Sequence, residues 1–526
     1  MFLSTAVSIY TISFTICLVS LIAWFYFKNN AKVSKICGVG FLGGLVTYLG
    51  SIYLADAEFS YKLMVVARDL AIIGGVGYFF GMIAKNKLVF FAFLALLYGA
   101  LQYKFTDVLE NTFNNKITCD FPVSGPGNHT LNSNSFELLV ELKPNTKKES
   151  LKELADKHGL KLNTAFSPAD GRITDLDDYL TVDIPSNKLA LTTTIIGLLE
   201  KHPDIEWVER NDVYQLDLME TIPQKRAPRD LKKFGLNDPN LKDLWGFQEM
   251  QVDALYTYLK KQKITPKRKA RIFILDTGVD ALHEDLKDNY KSLSRKDDND
   301  PMGHGTHCAG IAAAVSNNGI GVASFSQNNE FVQVTSIKVL SARGGGTQHG
   351  ILKGIIKAAD NGADVISMSL GGRSGDKGQK AYQQAIEYAN KKGAIVIAAA
   401  GNSNDNAKFY SPANAPGAIT VTALDPDLNR AAFSNYIQEV DYGIAAPGVN
   451  IYSSIPGNKY ASFNGTSMAT PYVAGLVGLM KSIRPELTTK QAHDILKKTG
   501  DKTGNTKETG PFIQPAKAVN AVMQMK

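Results

Sequence analysis

The chain has 526 residues, which is enough for several domains, since a single domain usually takes roughly 100–200 residues. Its formal net charge of +7 is modest for this length and no basic cluster is interleaved with aromatic residues, so we expect no nucleic acid as a partner. Its four cysteines are scattered and form no disulfide framework, so they do not indicate a redox compartment.

The N-terminal region 1–104 contains four apolar runs, near 3–27, 37–54, 63–83 and 88–103. A membrane-spanning helix needs about 20 mostly apolar residues, so these runs predict four transmembrane spans and contact with the lipid bilayer. The first run lacks the basic residues and the cleavage site of a secretory signal. A buried soluble helical bundle is the alternative.

The short loops between these runs predict the orientation of the spans. The first and third loops carry lysines, whereas the second, "ADAEFSYK", holds two acidic residues. Because basic loops stay in the cytoplasm, everything after residue 104 is expected outside it, in the periplasm or the extracellular space. The chain is therefore predicted to be a multi-pass membrane protein, from which processing could release the exported part.

One motif in this region suggests a nucleotide cofactor. The segment "GVGFLG" (Gly38, Gly40 and Gly43) matches the glycine fingerprint of dinucleotide-binding folds. That fingerprint requires a preceding strand and a following amphipathic helix, whereas this segment lies inside an apolar run. We interpret Gly40 and Gly44 as positions of close helix–helix packing and expect no organic cofactor.

A small domain is predicted after the apolar region. Residues 105–133 are rich in turn formers and indicate a polar linker. Residues 134–216 alternate strand-like and helix-like segments, from "FELLVEL" through "KKESLKELADKHG" to "DIEWVER", which is typical of a small α+β domain. The charged, proline-containing stretch 217–236 indicates an exposed linker that proteases could cut.

The remaining region, 237–526, has the pattern of an α/β domain. Short apolar runs such as "ARIFILDTG" and "GAIVIAAAGN" alternate with helical stretches such as "GILKGIIKAADNG". This alternation predicts a mostly parallel sheet with helices on both faces. Such sheets bind ligands beyond the carboxyl ends of their strands, so the polar residues that follow the runs are candidates for a site.

Three of these polar residues form a candidate triad: Asp276 ends "ARIFILD", His304 lies in "GHGTHCAG" and Ser467 in "FNGTSMATPYVAG". A serine nucleophile needs a base within hydrogen-bonding reach, and the base needs an acceptor for its other ring nitrogen. The order Asp, His, Ser is one of the few known for such triads. A zinc site of His304, His307 and Cys308 is the alternative, but it would remove the base from a complete triad.

Four segments, "ILDTGVD", "GHGTHCAG", "AAAGN" and "GTSMATPYVAG", resemble in this order the blocks of the subtilisin-like serine proteases (subtilase family, peptidase S8). The resemblance implies a subtilisin-like α/β fold and a serine endopeptidase that acts through an acyl-enzyme intermediate. Ser467 would be the nucleophile, His304 the base, and Asp276 the residue that orients the imidazole. His307 would be structural, and Cys308 a small buried apolar residue near the site.

The same resemblance implies how protein or peptide substrates bind. The amide of Asn402 and the backbone N–H of Ser467 would form the oxyanion hole. Two segments would flank an extended substrate, namely Gly344, Gly345 and Gly346 on one side and Ser369, Leu370 and Gly371 on the other. Small residues would line a roomy first specificity pocket and favour broad specificity: Ala399, Ala400 and Gly401.

A structural calcium ion is also implied by the resemblance. Calcium prefers oxygen ligands from carboxylates, amides and carbonyls, and the matching positions can supply them. The candidate ligands are Asp238, Asp285, Ser316, Asn318, Ile320 and Val322. An uncharged turn next to a solvated acid is the alternative.

Residues 134–216 resemble the inhibitory propeptide that precedes subtilases, with "DIEWVERNDVYQ" as the matching strand and tail. The resemblance implies that the chain's own propeptide inhibits the active site until self-cleavage. The cut is expected between Gln215 and Leu236, with Leu216–Met219 as the favoured stretch. A plain α+β adaptor domain is the alternative.

Together these patterns predict a membrane-anchored, self-processing zymogen of a serine endopeptidase. A non-enzymatic membrane receptor or scaffold that keeps the subtilase fold is the alternative, although the intact triad and Asn402 argue against it. A transporter with a protease appendage would require paired charges in the spans, and Arg68–Asp69 is the single hint of such a pair.

Overall fold

The computed structural model describes most of the chain after residue 135 and parts of the first 54 residues. The described residues are 17, 20, 21, 23, 30–54, 136–216, 219–221, 231–374 and 379–525. They belong to two compact units, Met1–Pro122 and Val123–Lys526.

The N-terminal unit contains the helix α1 (Ala31–Leu54), which includes the second predicted span, 37–54. In the part of the chain that the structure describes, no helix is both long enough and apolar enough to cross a membrane. Five glycines and two lysines dilute the apolar content of α1. The predicted multi-span anchor and multi-pass localisation are therefore wrong. The predicted spans 63–83 and 88–103, and most of 3–27, lie outside the described residues.

The glycine motif of the N-terminal unit is helical throughout, because Gly38, Gly40 and Gly43 all lie within α1. It therefore lacks the preceding strand that a dinucleotide fingerprint requires. Gly40 lies close to a second helical segment, since a Cβ at this position would be 2.9 Å from Ser20 Oγ.

The N-terminal part of the second unit is a four-stranded antiparallel sheet with two helices. Its strands, in the spatial order β2-β3-β1-β4, are β1 (Leu138–Leu142), β2 (Lys161–Thr164), β3 (Tyr179–Asp183) and β4 (Ile205–Arg210). Its helices are α2 (Lys152–His158) and α3 (Thr192–Leu199). Helix α3 buries Ile195 and Leu199 against the sheet because these residues are four apart and share one helical face. This arrangement is α+β.

In the described residues, the rest of the unit contains thirteen strands. In chain order they are β5 (Val213–Gln215), β6 (Met219–Thr221), β7 (Ala270–Asp276), β8 (Val332–Lys338), β9 (Gly345–Thr347), β10 (Val365–Met368), β11 (Gly372–Arg373), β12 (Ile395–Ala399), β13 (Tyr410–Ser411), β14 (Ala418–Leu424), β15 (Gly443–Pro447), β16 (Ile451–Ile455) and β17 (Lys459–Asn464). Six of them form one parallel sheet in the order β15-β14-β12-β10-β7-β8. The predicted parallel α/β sheet is confirmed.

The part of this region that the structure describes also contains nine further helices. They are α4 (Trp245–Glu249), α5 (Val252–Lys261), α6 (His304–Ala313), α7 (Gln348–Asp360), α8 (Lys380–Lys391), α9 (Thr466–Ile483), α10 (Thr489–Thr499), α11 (Thr506–Thr509) and α12 (Pro515–Gln524). Helix α9 is buried along its whole length, which explains its almost continuous apolar sequence.

Both faces of the parallel sheet are covered, as its strand sequences require. In β7, Ile272 and Ile274 belong to the core that contains α6 and α9, whereas Phe273 and Leu275 belong to the core that contains α7 and α8. Because successive side chains of a strand point to opposite faces, a strand buried on both faces must be apolar at almost every position. Polar residues at the carboxyl end of β7 therefore mark the edge where a site can form.

Candidate active site

Asp276 is the last residue of β7 and His304 is the first residue of α6. His304 Nδ1 lies 2.8 Å from Asp276 Oδ1 and 2.9 Å from Oδ2. The His304 side chain is 2% exposed and the Asp276 side chain is 0% exposed. Glycine at position 305 permits this close approach, because a Cβ there would lie 2.0 Å from the carbonyl oxygen of Gly278.

The electrostatic surroundings of His304 favour its charged form. Burial by itself would lower the pKa of this imidazole, because it removes the charged form from water. The negative charge of Asp276 and the hydrogen bond to it outweigh burial and raise the pKa of His304 well above its ordinary value. The pair can therefore stabilise an imidazolium that forms when the ring accepts a proton.

Ser467 is the second residue of α9 and its side chain is buried, with 6% exposed. Its Oγ donates a hydrogen bond to the carbonyl oxygen of Ser369 (3.1 Å), and Ser369 Oγ donates to the carbonyl oxygen of Ser467 (2.7 Å). Cys308 links this residue to the histidine, because its Sγ lies 3.5 Å from Ser467 O and 4.0 Å from His304 Nδ1. The three predicted triad residues thus lie around the buried Cys308 thiol.

Asn402 follows β12 and is held against the start of α9. Its Oδ1 accepts hydrogen bonds from the backbone N–H of Thr466 (2.9 Å) and from Thr466 Oγ1 (2.8 Å). The backbone N–H of Gly401 also donates to Thr466 Oγ1 (3.2 Å). Since the oxygen of the amide is held by Thr466, Nδ2 is the atom that is left to donate to a ligand beside Ser467.

The second histidine of "GHGTH" has different neighbours. His307 Nε2 lies 3.0 Å from the carbonyl oxygen of Ala461, and its ring stacks on Phe463 with centroids 4.3 Å apart. Burial lowers the pKa of His307 to about 3, so the ring is neutral. The zinc site of His304, His307 and Cys308 is therefore not assembled.

Sequence reasoning did not group Cys308 with Asp276 and His304, because Asp276 lies in a different segment of the chain, 28 residues before His304. One ligand atom from each of Asp276, His304 and Cys308 lies within 4.8 Å of the others, close enough to hold a metal ion. The hydrogen bond between Asp276 and His304 already occupies two of the three side chains.

Asp300 is a further buried residue that the sequence did not single out. Its side chain is 5% exposed. Its Oδ1 accepts hydrogen bonds from Thr277 Oγ1 (2.8 Å), Gly303 N (2.8 Å) and Met302 N (3.2 Å). Its Oδ2 accepts from the backbone N–H and the Oγ1 of Thr306, both at 2.8 Å. An acid within "KDDNDP" carries no sequence signal of this role, since several charged residues surround it.

Part of the chain pairs with the first of the predicted substrate-binding segments. Strand β5 pairs antiparallel with β9, and the N–H of Leu216 donates to the carbonyl oxygen of Gly344 (3.1 Å). Strand β6 pairs antiparallel with β17, which ends at Asn464, three residues before Ser467. The favoured cleavage stretch, Leu216–Met219, connects these two pairings, but its residues 217 and 218 lie outside the described residues.

The other segments predicted to bind substrate occupy the carboxyl ends of β10 and β12. Ser369 contacts Ser467, and Leu370 (3% exposed) is buried beside it. Gly371 adopts φ +151°, and a Cβ there would lie 2.7 Å from Ser411 O. The small residues at the end of β12 have exposed fractions of 6% for Ala399 and 0% for Ala400.

The predicted calcium ligands lie away from the triad, and four of the six are brought together. Asp285 Oδ1 accepts from Asn318 Nδ2 (2.9 Å) and its Oδ2 from Val322 N (2.8 Å). Asp238 accepts from the backbone N–H of Asn318 (3.3 Å). Burial raises the pKa of Asp238, and it raises the pKa of Asp285 to about 7. Two buried carboxylates supply oxygen atoms of the kind that calcium prefers.

The remaining two candidates are less clearly placed for a metal. Ser316 Oγ donates to the carbonyl oxygen of Ser324 (3.2 Å). The N–H of Ile320 donates to Asn318 Oδ1 (2.8 Å). Ser316 and Ile320 could therefore contribute their carbonyl oxygens, and Asn318 would have to turn its amide to present Oδ1.

Comparison with known proteins assigns the family. The model of the subtilase family (Peptidase_S8) matches residues 267–512. Thermitase from Thermoactinomyces vulgaris is 44% identical over 242 residues, which cover 45% of this chain and 83% of thermitase. The chain therefore belongs to the subtilase family. This subtilase is a subtilisin-like serine endopeptidase with the α/β fold of that family.

Two further relatives have similar coverage of their own lengths. Subtilisin DY from Bacillus licheniformis is 42% identical over 242 residues, covering 45% of this subtilase and 85% of the relative. M-protease from Shouchella clausii is 32% identical over 396 residues, covering 70% of this subtilase and 99% of the relative. The non-enzymatic receptor or scaffold considered above is therefore not supported.

Proposed function

We propose that this subtilase hydrolyses peptide bonds with Asp276, His304 and Ser467 as its catalytic triad. The observation that carries the proposal is the buried pair in which His304 Nδ1 lies 2.8 Å from the Asp276 carboxylate. This contact holds the Nδ1–H tautomer and leaves Nε2 as the atom that accepts a proton.

The reaction proceeds through two proton transfers. Ser467 Oγ bonds to the scissile carbonyl carbon while its proton passes to His304 Nε2, and the carbonyl oxygen becomes an oxyanion. Asn402 Nδ2 and the Ser467 N–H donate to this oxyanion. The C–N bond then breaks as His304 returns the proton to the leaving amine. Water hydrolyses the acyl-enzyme by the same steps and restores Ser467.

Replacing the nucleophile tests this assignment. In Ser467→Ala the residual hydrolysis should be about 10⁴-fold or more below wild type, because the covalent step is lost. The assay is cleavage of an unfolded protein substrate by protein that is expressed as the full chain and left to mature. Ser186→Ala removes an exposed hydroxyl in the small α+β region and should keep wild-type activity. Equal activity of the Ser467→Ala and Ser186→Ala proteins would contradict the triad.

The small region 134–216 acts, in this proposal, as an inhibitory propeptide. Its tail pairs with β9 through β5, and the chain then continues to β6, which pairs with β17 beside Ser467. An extended chain across these edges occupies the place of a substrate. The match to M-protease supports the assignment, because it covers 70% of the chain, whereas 237–526 makes up about 55%.

The propeptide also contacts the N-termini of two helices. Asn211 Oδ1 accepts from the N–H of His349 (3.0 Å) and the carbonyl oxygen of Asp212 accepts from the N–H of Gln348 (2.7 Å), both at the start of α7. Glu209 accepts from Gln348 Nε2 (2.5 Å) and from the N–H of Ala381 in α8 (3.5 Å). These acceptors satisfy N–H groups that are free at helix N-termini, which favours binding.

Self-processing is tested by the N-terminal sequence and mass of the mature protein. The wild-type chain should yield a fragment that starts between residues 217 and 219, and Ser467→Ala should remain full length. Adding trace wild-type enzyme to the Ser467→Ala protein separates cleavage within one chain from cleavage between chains. A full-length wild-type product that nevertheless hydrolyses protein substrates would contradict the zymogen proposal while leaving the triad intact.

Calcium is proposed as a structural ion held by Asp238, Asp285 and Asn318. The support is the chemistry of the donor set, in which two buried carboxylates lie near each other without a basic side chain among their described hydrogen-bond partners. When bound, calcium would neutralise this buried charge and join the segment before α4 to the loop after α6.

A further inference from the structure

Tyr214 is the residue of the tail that is inserted most deeply into the α/β region. It pairs with Gly346 in the β5–β9 ladder, and its side chain is 4% exposed, whereas the neighbouring Gln215 is exposed. This alternation is expected, because successive side chains of a strand point to opposite faces. One face of the bound strand therefore enters a pocket and the other faces solvent.

The pocket has room for an aromatic ring because one of its walls is a glycine. A Cβ at position 372 would lie 2.5 Å from Cδ1 of Tyr214. The Tyr214 ring also packs against Tyr382, with centroids 6.4 Å apart and an interplanar angle of 55°. The pocket is thus shaped for a flat side chain.

The base of the pocket is polar. The Tyr214 hydroxyl donates a hydrogen bond of 2.7 Å to Gln379 Oε1, and Gln379 is 9% exposed. Gln379 Nε2 donates to Asp212 Oδ2 (2.6 Å) and lies 3.4 Å from Gln348 Oε1. Because Asp212 of the tail and Gln348 of α7 place oxygen acceptors beside Nε2, the oxygen of this amide faces the tyrosine when the tail is bound. The pocket therefore presents Gln379 Oε1 as a hydrogen-bond acceptor, and the bound side chain must supply the donor.

We infer that Gln379 makes this subtilase select substrates that carry tyrosine at the strand position that pairs with Gly346. The inference rests on the proposed function, since a substrate must take the place of the chain's own tail. Phenylalanine or leucine at this position fills the pocket but leaves Gln379 Oε1 buried without a donor. A site built to hydrogen-bond a hydroxyl discriminates strongly against an analogue that lacks it.

The Tyr214 pocket is distinct from the first specificity pocket predicted at Ala399, Ala400 and Gly401. Small residues at the end of β12 indicate a roomy first pocket with broad specificity, and they offer no side-chain hydrogen bond. Gln379, which precedes α8, adds a requirement for a donor at a separate position of the same substrate strand. The enzyme is therefore selective at one subsite and tolerant at another.

Two peptides test the inference. Both carry the tail sequence "NDVYQLDLMET", and one has phenylalanine in place of the tyrosine. The full chain is expressed and left to mature, kcat/KM is measured for each peptide, and mass spectrometry locates the cut. The tyrosine peptide should be preferred by about tenfold or more, because one buried acceptor is unpaired in the other complex.

Variants on α8 and just before it provide the control. Gln379→Met has a similar volume but no acceptor, so the tyrosine-to-phenylalanine ratio of kcat/KM should fall to about one. Gln383→Met changes an exposed residue of α8 and should leave the ratio unchanged. If Gln379→Met does not fold, the tyrosine-to-phenylalanine ratio of kcat/KM for wild type still decides whether tyrosine is selected.

The outcomes separate this inference from the proposed function. Equal kcat/KM for the two peptides with wild type, or a cut in a register that does not place the tyrosine opposite Gly346, overturns the role of Gln379 but not the triad. Hydrolysis of a generic unfolded protein without cleavage of either peptide also overturns it. Failure to hydrolyse any substrate contradicts the proposed function itself.

Discussion

At the scale of single residues, the site depends on how burial and charge act on His304. Burial opposes the imidazolium, whereas the Asp276 carboxylate, which lies 2.8 Å from Nδ1, favours it more strongly. The neighbouring Cys308, unlike Asp276, favours its uncharged form, since burial raises the pKa of its thiol. The histidine therefore has one charged partner, Asp276, and one neutral neighbour.

The pH dependence of the reaction follows from this arrangement. His304 must be neutral in the free enzyme to accept a proton, and its pKa is raised above 6.5. The kcat/KM of wild type should therefore rise with pH through a midpoint above 6.5. Cys308→Ala should shift the midpoint less than Asp276→Asn, because Asp276 is the larger of the two causes that raise the pKa of His304. A midpoint at or below 6.5 in the pH–rate profile would argue that the effect of Asp276 on the pKa of His304 does not exceed the effect of burial.

At the scale of structural elements, the site depends on how β7 and α6 are joined. Asp300 accepts hydrogen bonds from Thr277, which follows β7, and from Thr306, in the first turn of α6. Asp297 is equally buried, but it pairs with Lys357 Nζ (3.0 Å) and accepts from the N–H of Lys338 (3.1 Å). Asp300 joins the two elements that carry the catalytic pair, whereas the Asp297 side chain joins β8 and α7, which carry no residue of the triad.

The substitutions Asp300→Asn and Asp297→Asn test these two roles against each other. Asp300→Asn should lower kcat by about tenfold to a hundredfold with little change in KM, because Asp276 and His304 would no longer be held in register. Asp297→Asn should lower the thermal unfolding midpoint but keep kcat. Both are measured by steady-state kinetics and thermal unfolding. A parallel loss of stability in both proteins with no difference in kcat would assign Asp300 a merely structural role.

At the scale of the whole chain, the α/β region is linked to the segments around it by buried polar contacts. The tail of the small region is held by Glu209, Asn211 and Asp212, and the segment before α4 is held by Asp238. The apolar run 37–54 did not lead to a membrane span, because a span requires a helix that is apolar throughout, and α1 is rich in glycine. Composition alone did not distinguish a membrane-spanning helix from a glycine-rich helix such as α1.

Calcium should act on the stability of the whole molecule. Removal of the ion by a chelator should lower the unfolding midpoint of wild type, and saturating calcium at 100 times its Kd should restore about 2.7 kcal/mol. Asp285→Asn should lose most of this response. Asp288→Asn, which changes an acid of the same segment that is not a proposed ligand, should keep it. An unfolding midpoint of wild type that does not respond to calcium would contradict the proposed site.

The calcium response should also depend on pH. Burial raises the pKa of Asp285 from 3.8 to about 7, so without the ion this residue contributes stability at low pH that is lost as pH rises through about 7. Calcium requires the ionised carboxylate. The increase of the unfolding midpoint on adding calcium should therefore grow from pH 5 to pH 8, and a response that is constant over this range would contradict the role of Asp285.

The sequence by itself determined the parallel α/β sheet and the family. Strands buried on both faces must be apolar throughout, and the residues of "ILDTGVD", "GHGTHCAG" and "GTSMATPYVAG" are constrained by chemistry and close packing within short segments. Local patterns of this kind are readable because each depends on neighbours in the chain.

The tertiary structure alone decided which distant residues meet. The ladder that pairs Tyr214 with Gly346, the hydrogen bond between Thr277 and Asp300 and the amide orientation of Gln379 join residues from separate segments of the chain. These polar residues look like ordinary surface residues in the sequence. Their burial creates the requirement for a partner, and burial arises only when the chain has folded.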